Sequence, residues 1–194
     1  MRPDAATLRL AVFPRSGLIT DAFLVVAGAG FVAVCAQIEI HLGFTPVPIT
    51  LQTFAVLVVG AGLGAVLGTA SLALYLLVGM LGAPVYAGGE GGWEWVNGAT
   101  GGYLVGFVVA AGLAGFLAER RWDRRVPSAV TAMLTGNVVV YLFGVPWLAH
   151  VAGYSWQKAL ENGLYPFVVG DLLKLYLAGA LLPLAWRFVA RFKG

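Results

Sequence analysis

Between Leu18 and Glu119 the sequence contains no lysine or arginine, and apolar runs approaching 20 residues recur across that interval and beyond it. A stretch of that length and composition matches the hydrocarbon core of a bilayer, about 30 Å at 1.5 Å per helical residue. Over the 194 residues, 60% are hydrophobic and 11% charged, against about 25% charged in an ordinary soluble domain. The chain therefore reads as an all-α polytopic membrane protein. Cys35 is the single cysteine, so neither a disulfide nor a cysteine metal site is open to it, and packing is its expected role. His41 and His150 are far apart with no paired spacing, which gives no metal centre and no metal-dependent chemistry. No basic surface with interleaved aromatics points to nucleic acid.

The arginines orient the chain. Arg2, Arg9 and Arg15 precede the first run, Arg120, Arg121, Arg124 and Arg125 share one short connection, and Arg187, Arg191 and Lys193 close the chain. By the positive-inside rule all three groups are cytoplasmic. The N-terminal stretch is arginine-bearing and lacks a small-residue cleavage pattern, so it reads as a cytoplasmic lead-in to a retained helix.

An even number of crossings must then separate each pair of arginine groups. Spans are expected at Leu18–Ala36, Gly101–Ala118, Ser128–Val151 and Tyr165–Trp186. The interval Leu51–Gly82 must cross twice, turning at Gly60-Ala-Gly-Leu-Gly64. Six transmembrane helices with both termini cytoplasmic follow. The chain divides into a segment 1–17, a membrane domain 18–187 and a tail 188–194. The connections Gln37–Thr50, Ala83–Thr100 and Ala152–Leu164 face outward, and Trp93, Trp95, Trp147, Tyr154 and Trp156 gather there as an interfacial belt does.

Within the last apolar run, Asp171 and Lys174 lie one helical turn apart on one face, where they can pair. A single charge at mid-membrane costs roughly 2.5–3.5 kcal/mol, so such residues face a bundle interior or a wet cavity. Asp171 lies about 8 residues, roughly 12 Å, below the outer end of its span. Two readings stand: an ion pair that locks helices, or a site for a compact polar ligand, with Asp171 accepting N–H groups and Lys174 donating.

Other polar features have two readings as well. Ala83–Tyr103 carries seven glycines, including Gly88 and Gly89, which give the backbone freedom and close approach to a ligand. Tyr86, Trp93 and Trp95 add flat apolar surfaces beside Asn97; the same loop also reads as a mobile interfacial segment. Pro46 and Pro48 stiffen the first outer loop ahead of Thr50, Gln52 and Thr53, which either cap a helix or meet a ligand. Asn137 and Tyr141 share a helix face and read first as interhelical glue. Ala29 and Ala33 form a small-xxx-small pair, suited to close packing against a helix of this chain or of another protein. No G-x-x-x-x-G-K-[ST] sequence occurs, so the chain carries no phosphate loop of that type for ATP hydrolysis.

Taken in order, Pro46-Val-Pro-Ile-Thr-Leu-Gln-Thr53, Tyr86-Ala-Gly-Gly-Glu-Gly-Gly92, Thr100-Gly-Gly-Tyr103, Gly136-Asn137, Tyr141-Leu-Phe-Gly-Val-Pro-Trp147 and Pro166-Phe through Gly170-Asp171-Leu-Leu-Lys174 resemble the BioY family, the biotin-binding S components of energy-coupling factor (ECF) vitamin importers. The resemblance runs from about Ile19 to Leu182. It implies a six-helix S-component bundle in the plasma (inner) membrane of a prokaryote. It also implies a non-enzymatic role without cofactor, with biotin as ligand and a transmembrane coupling protein and two ATPase subunits as partners; homo-oligomerisation is left open.

On that resemblance the ligand-binding residues are Asp171, Lys174, Gly88, Gly89, Tyr86, Trp93, Asn97, Gln52 and Asn137, with Ala29 and Ala33 docking the coupling protein. Two alternatives remain: an S component for a different small vitamin, or an intramembrane enzyme using Asp171 and Lys174 as acid and base.

Overall fold

The computed structural model describes residues 7–14 and 17–192. Arg2, Arg15 and Lys193, used above for orientation, lie outside the described residues. A short helix α1 (Leu8–Val12) leads into α2 (Leu18–Ala36), and a two-residue antiparallel ribbon, β1 (Glu39–Ile40) and β2 (Ile49–Thr50), ties the ends of the first loop. Then follow α3 (Gln52–Leu63), α4 (Ala65–Met80), the small α5 (Trp93–Asn97), α6 (Gly101–Glu119), α7 (Val126–Ala152), α8 (Trp156–Gly163) and α9 (Val168–Phe192).

Among the described residues, four stretches are long and apolar enough to cross a membrane: α2, α6, α7 and Trp156–Arg191, which takes in α9 up to Arg191. The chain is thus a multi-pass membrane protein. The expectation of six crossings is not matched in length by α3 and α4, of 12 and 16 residues. They extend only about 18 and 24 Å against a hydrocarbon core of about 30 Å. Both pack inside a six-helix bundle with α2, α6, α7 and α9.

The break between α3 and α4 is a single residue, Gly64, whose φ of +92° is open to glycine and strained for other residues. Glu119 from the end of α6 accepts a hydrogen bond from Ala65 N at 2.8 Å and so caps α4. α6 is the central helix, packed on α7, α3 and α4. Small residues permit this: a Cβ added at Gly60 would lie 2.3 Å from the Ala111 carbonyl oxygen.

α2 lies at the edge of the bundle. Ala29 is buried and Ala33 half-buried within this chain's own bundle. Their small side chains pack inward because α2 approaches α4 closely, where Gly28 faces Ser71. The open face of α2 is instead Phe23, Ala27, Gly30 and Val34.

Two of the expected loops hold helices. Trp93–Asn97 coils within the glycine-rich connection, and Ser155 caps α8 by accepting from Lys158 N at 3.3 Å. These connections and the first loop gather at one end of the bundle, called here the flap end. At the opposite end Arg9 pairs with Asp21, and Asp123 accepts from the Trp186 indole while the Arg124 guanidinium sits 3.3 Å from the centroid of that ring. Burial pushes the Asp123 carboxyl above its ordinary range, opposed by those two neighbours.

Candidate functional site

Asp171 sits in the first turn of α9, where the helix dipole favours an anion. Its carboxylate is 4% exposed and fully engaged. Oδ1 meets Lys174 Nζ at 2.7 Å and the Thr53 hydroxyl at 3.4 Å, while Oδ2 accepts from Asn137 Nδ2 at 2.9 Å and from the Tyr141 hydroxyl. Lys174 also donates to Thr50 O at 2.9 Å and Thr53 Oγ1 at 3.0 Å. Each ammonium proton thus has an acceptor, and the carboxylate holds about as many donors as its lone pairs allow. A buried pair satisfied in this way avoids leaving a bare charge in an apolar interior.

A second network begins at the same place. Thr50 donates to Gln52 Oε1 at 2.9 Å, Gln52 Nε2 donates to the Tyr75 hydroxyl at 2.7 Å, and Tyr75 donates to Val85 O at 3.1 Å. The next residue, Tyr86, is 2% exposed; its ring fills the notch left by Gly79, and its hydroxyl donates to Leu76 O at 2.7 Å. Burial pushes the Tyr86 phenol up to about 12. The start of the glycine-rich connection is therefore fastened to α4, and through Gln52 to the strand end that holds Lys174.

Above the charged pair lies a partly open cavity. Val47 and Pro48 of the first loop and Tyr86 and Trp95 of the glycine-rich connection close it at the flap end. Tyr103, Leu104 and Phe107 of α6, Val140 and Tyr141 of α7, and Phe167 make an apolar sleeve. Thr50, Gln52, Thr53, Asp171 and Lys174 form its polar part. An apolar wall with polar groups concentrated in one part suits a compact ligand with one hydrogen-bonding end.

Of the residues named from sequence, Asp171, Lys174, Gln52 and Tyr86 line this cavity. Asn137 stands behind it, holding Asp171 with its amide nitrogen while its buried Oδ1 has no hydrogen-bond partner among the described residues. The remaining four are not among the lining residues. Trp93 is 61% exposed, and Asn97 is exposed and donates to Trp93 O. Gly88 and Gly89 form an exposed turn, both at φ +72°, with Gly88 against Glu39. The tryptophan on the cavity is Trp95. Trp93 and Trp95 are two positions apart, about 200° around a helix, so one faces in when the other faces out. Tyr103 and Phe167 also line the cavity and fall within the quoted family motifs without being named there as ligand-binding residues; Phe107 lines it too, and only ordinary apolar periodicity marks it.

The BioY family profile matches residues 6–191. A biotin transporter BioY from Rhizobium etli is 39% identical over 149 residues, covering 73% of this chain and 79% of that protein. A probable biotin transporter BioY from Pyrococcus horikoshii is 39% identical over 151 residues, covering 78% of this chain and 86% of its own length. Among solved structures, a crystal structure of the S-component for biotin from an ECF-type ABC transporter superposes with a TM-score of 0.78 at 26% identity, covering 87% of this chain and 92% of that one. Sequence and fold agree over almost the whole molecule, and the chain belongs to the BioY family.

Proposed function

We propose that this chain is a substrate-binding subunit that captures biotin outside the cell and delivers it inward together with an ATP-driven ECF module. Its partners on this reading are a transmembrane coupling protein and two ATPase subunits, and its site is the plasma (inner) membrane of a prokaryote. The observation that carries the reading is the Asp171–Lys174 pair at the polar part of an otherwise apolar cavity. The biotin transporters among its relatives support the choice of ligand.

Biotin matches this cavity in chemistry. Its ureido ring presents two N–H donors and one carbonyl, and the fused sulfur ring and aliphatic chain are apolar. A ureido N–H reaches Asp171 by replacing Thr53 or Lys174 as donor, and the ammonium released in the exchange turns to the ureido carbonyl. Exchange of partners keeps the Asp171 carboxylate and the Lys174 ammonium paired in both states. In this reading the flap end faces outside and the Arg120–Arg125 turn faces the cytoplasm, as the positive-inside rule requires. The subunit acts by binding, and the work of transport falls to the ATPase partners.

Equilibrium binding of biotin, riboflavin and thiamine to the purified protein tests the proposal, with Asp171→Asn and Lys174→Ala alongside. We expect biotin alone to bind tightly and each substitution to weaken it at least tenfold, the effect of about 1.4 kcal/mol. Absence of tight biotin binding by the wild type refutes the ligand; unchanged affinity in both variants refutes the site.

A further inference from the structure

At the end of the bundle opposite the flap, the carboxylates of the described residues are already engaged. Asp21 pairs with Arg9, Asp123 accepts from the Trp186 indole beside Arg124, and Glu119 caps α4. Arg187 and Arg191, in the last turns of α9, are exposed and form no salt bridge among the described residues. Four positions apart, they stand on one helix face with their Cβ atoms about 6 Å from each other.

The same side of α9 is apolar above them. Leu177, Leu181, Leu184 and Phe188 are exposed, and their helical spacing keeps them in one stripe. From Leu177 to Phe188 the helix rises about 16 Å, the depth of one leaflet of a hydrocarbon core about 30 Å thick. Leu181, Leu184 and Phe188 line a surface depression together with both arginines. The depression thus joins an apolar track of acyl-chain length to two guanidinium groups that lack a carboxylate partner among the described residues.

We propose that this face of α9 binds an anionic phospholipid of the adjoining leaflet. Arg187 and Arg191 hold the phosphate oxygens through charge-assisted hydrogen bonds, for which the guanidinium fork is suited, and one acyl chain lies along the stripe. A zwitterionic headgroup sets its own cation against the arginines, and free phosphate leaves the stripe uncovered. Arg187 lies about 24 Å along α9 from Asp171, so the site is separate from the cavity and independent of what the cavity binds.

Native mass spectrometry of the protein released from nanodiscs of equal phosphatidylglycerol and phosphatidylcholine counts the lipids that stay bound. The wild type should keep phosphatidylglycerol in preference, and Arg187→Gln with Arg191→Gln should lower that preference about fivefold per arginine removed. Arg120→Gln with Arg125→Gln takes the same charge from the turn at the same end and should leave the preference intact. A wild type without preference overturns the site, and so does an equal fall in both double variants, which reports general attraction to the arginine-bearing end. Unchanged preference in the Arg187/Arg191 variant also overturns it and leaves the two arginines to an acidic protein partner. Added inorganic phosphate should leave the lipid bound; its displacement overturns a lipid site in favour of a phosphate site.

Discussion

Removing both members of the Asp171–Lys174 pair should destabilise the fold by clearly less than the two single removals add up to. At 2.7 Å separation and an effective dielectric of about 20, the attraction is about 6 kcal/mol before desolvation is deducted. Asp171→Asn leaves the Lys174 ammonium, 13% exposed, with the neutral acceptors Thr50 O and Thr53 Oγ1. An uncompensated buried charge of this kind costs about 3–5 kcal/mol. Lys174→Met leaves Asp171 with three neutral donors, Thr53, Asn137 and Tyr141. Hydrogen bonds to a charged group are worth about 1.5–3 kcal/mol each, so this loss should be the smaller. The double variant carries no buried charge, and its loss should fall at least about 2 kcal/mol short of the sum of the singles. Titration of the detergent-purified protein with a denaturing surfactant, followed by tryptophan fluorescence, measures all four corners of the cycle. Additivity within about 0.5 kcal/mol would refute the view that the two residues are held as one charged unit.

Other substitutions probe other parts of the argument. Gly79→Ala should cost about 1–3 kcal/mol by overpacking against the Tyr86 ring, whose Cε1 a new Cβ would approach to 2.2 Å; the same change should cost much less in a Tyr86→Ala background, read by thermal unfolding. Tyr75→Phe strands Gln52 Nε2 and Val85 O and should cost about 1–3 kcal/mol; it should also raise amide exchange across residues 83–86, and unaltered exchange would count against the Gln52–Tyr75 fastening. Glu94→Gln removes an anion from a surface depression at the flap end, beside Trp95. It should speed association of anionic biotin, with the gain fading as salt screens the site; a gain independent of salt would exclude an electrostatic cause. Asp123 has its folded carboxyl raised above 3.8 by burial. Its share of stability is therefore full below that value and lost as pH rises through the folded pKa. Asp123→Asn should flatten unfolding stability against pH from about pH 4 upward, and an unaltered slope would contradict that environment.

The long apolar helices are legible in sequence because the hydrocarbon core sets their length and arginines mark their ends. The expected Leu18–Ala36 coincides with α2, and Gly101–Ala118 differs from α6 by one residue. The break at Gly64 is legible because a glycine cluster interrupts an apolar run. The charged pair announces itself by its cost in an apolar helix. Facing is harder to read. Ala29 turns inward and Phe23 outward because lipid accepts a large apolar side chain as readily as the protein core does, so hydrophobicity cannot tell the two sides apart. α5 is a single turn, and whether Trp93 or Trp95 enters the cavity depends on its ties to Gly79 and Trp147, which are distant in sequence. For α8 the signal is present: Ser155 as cap, Gln157 and Glu161 four apart, and small Ala159 and Gly163 on the packed side.

The late start of α3 has a consequence for the sign of charge the cavity tolerates. Because α3 begins at Gln52, its amino end lies beside Asp171, with Thr53 in contact with the carboxylate. The amino end of α9 lies there too. Each helix start carries roughly half a positive charge, so with Lys174 and Asp171 cancelling, the neighbourhood holds an excess of about one positive charge. Asp171 is thereby kept anionic at low cost, and a ligand carboxylate is welcome nearby. A cationic vitamin of the same size, thiamine among them, meets an electrostatic barrier before any question of shape arises.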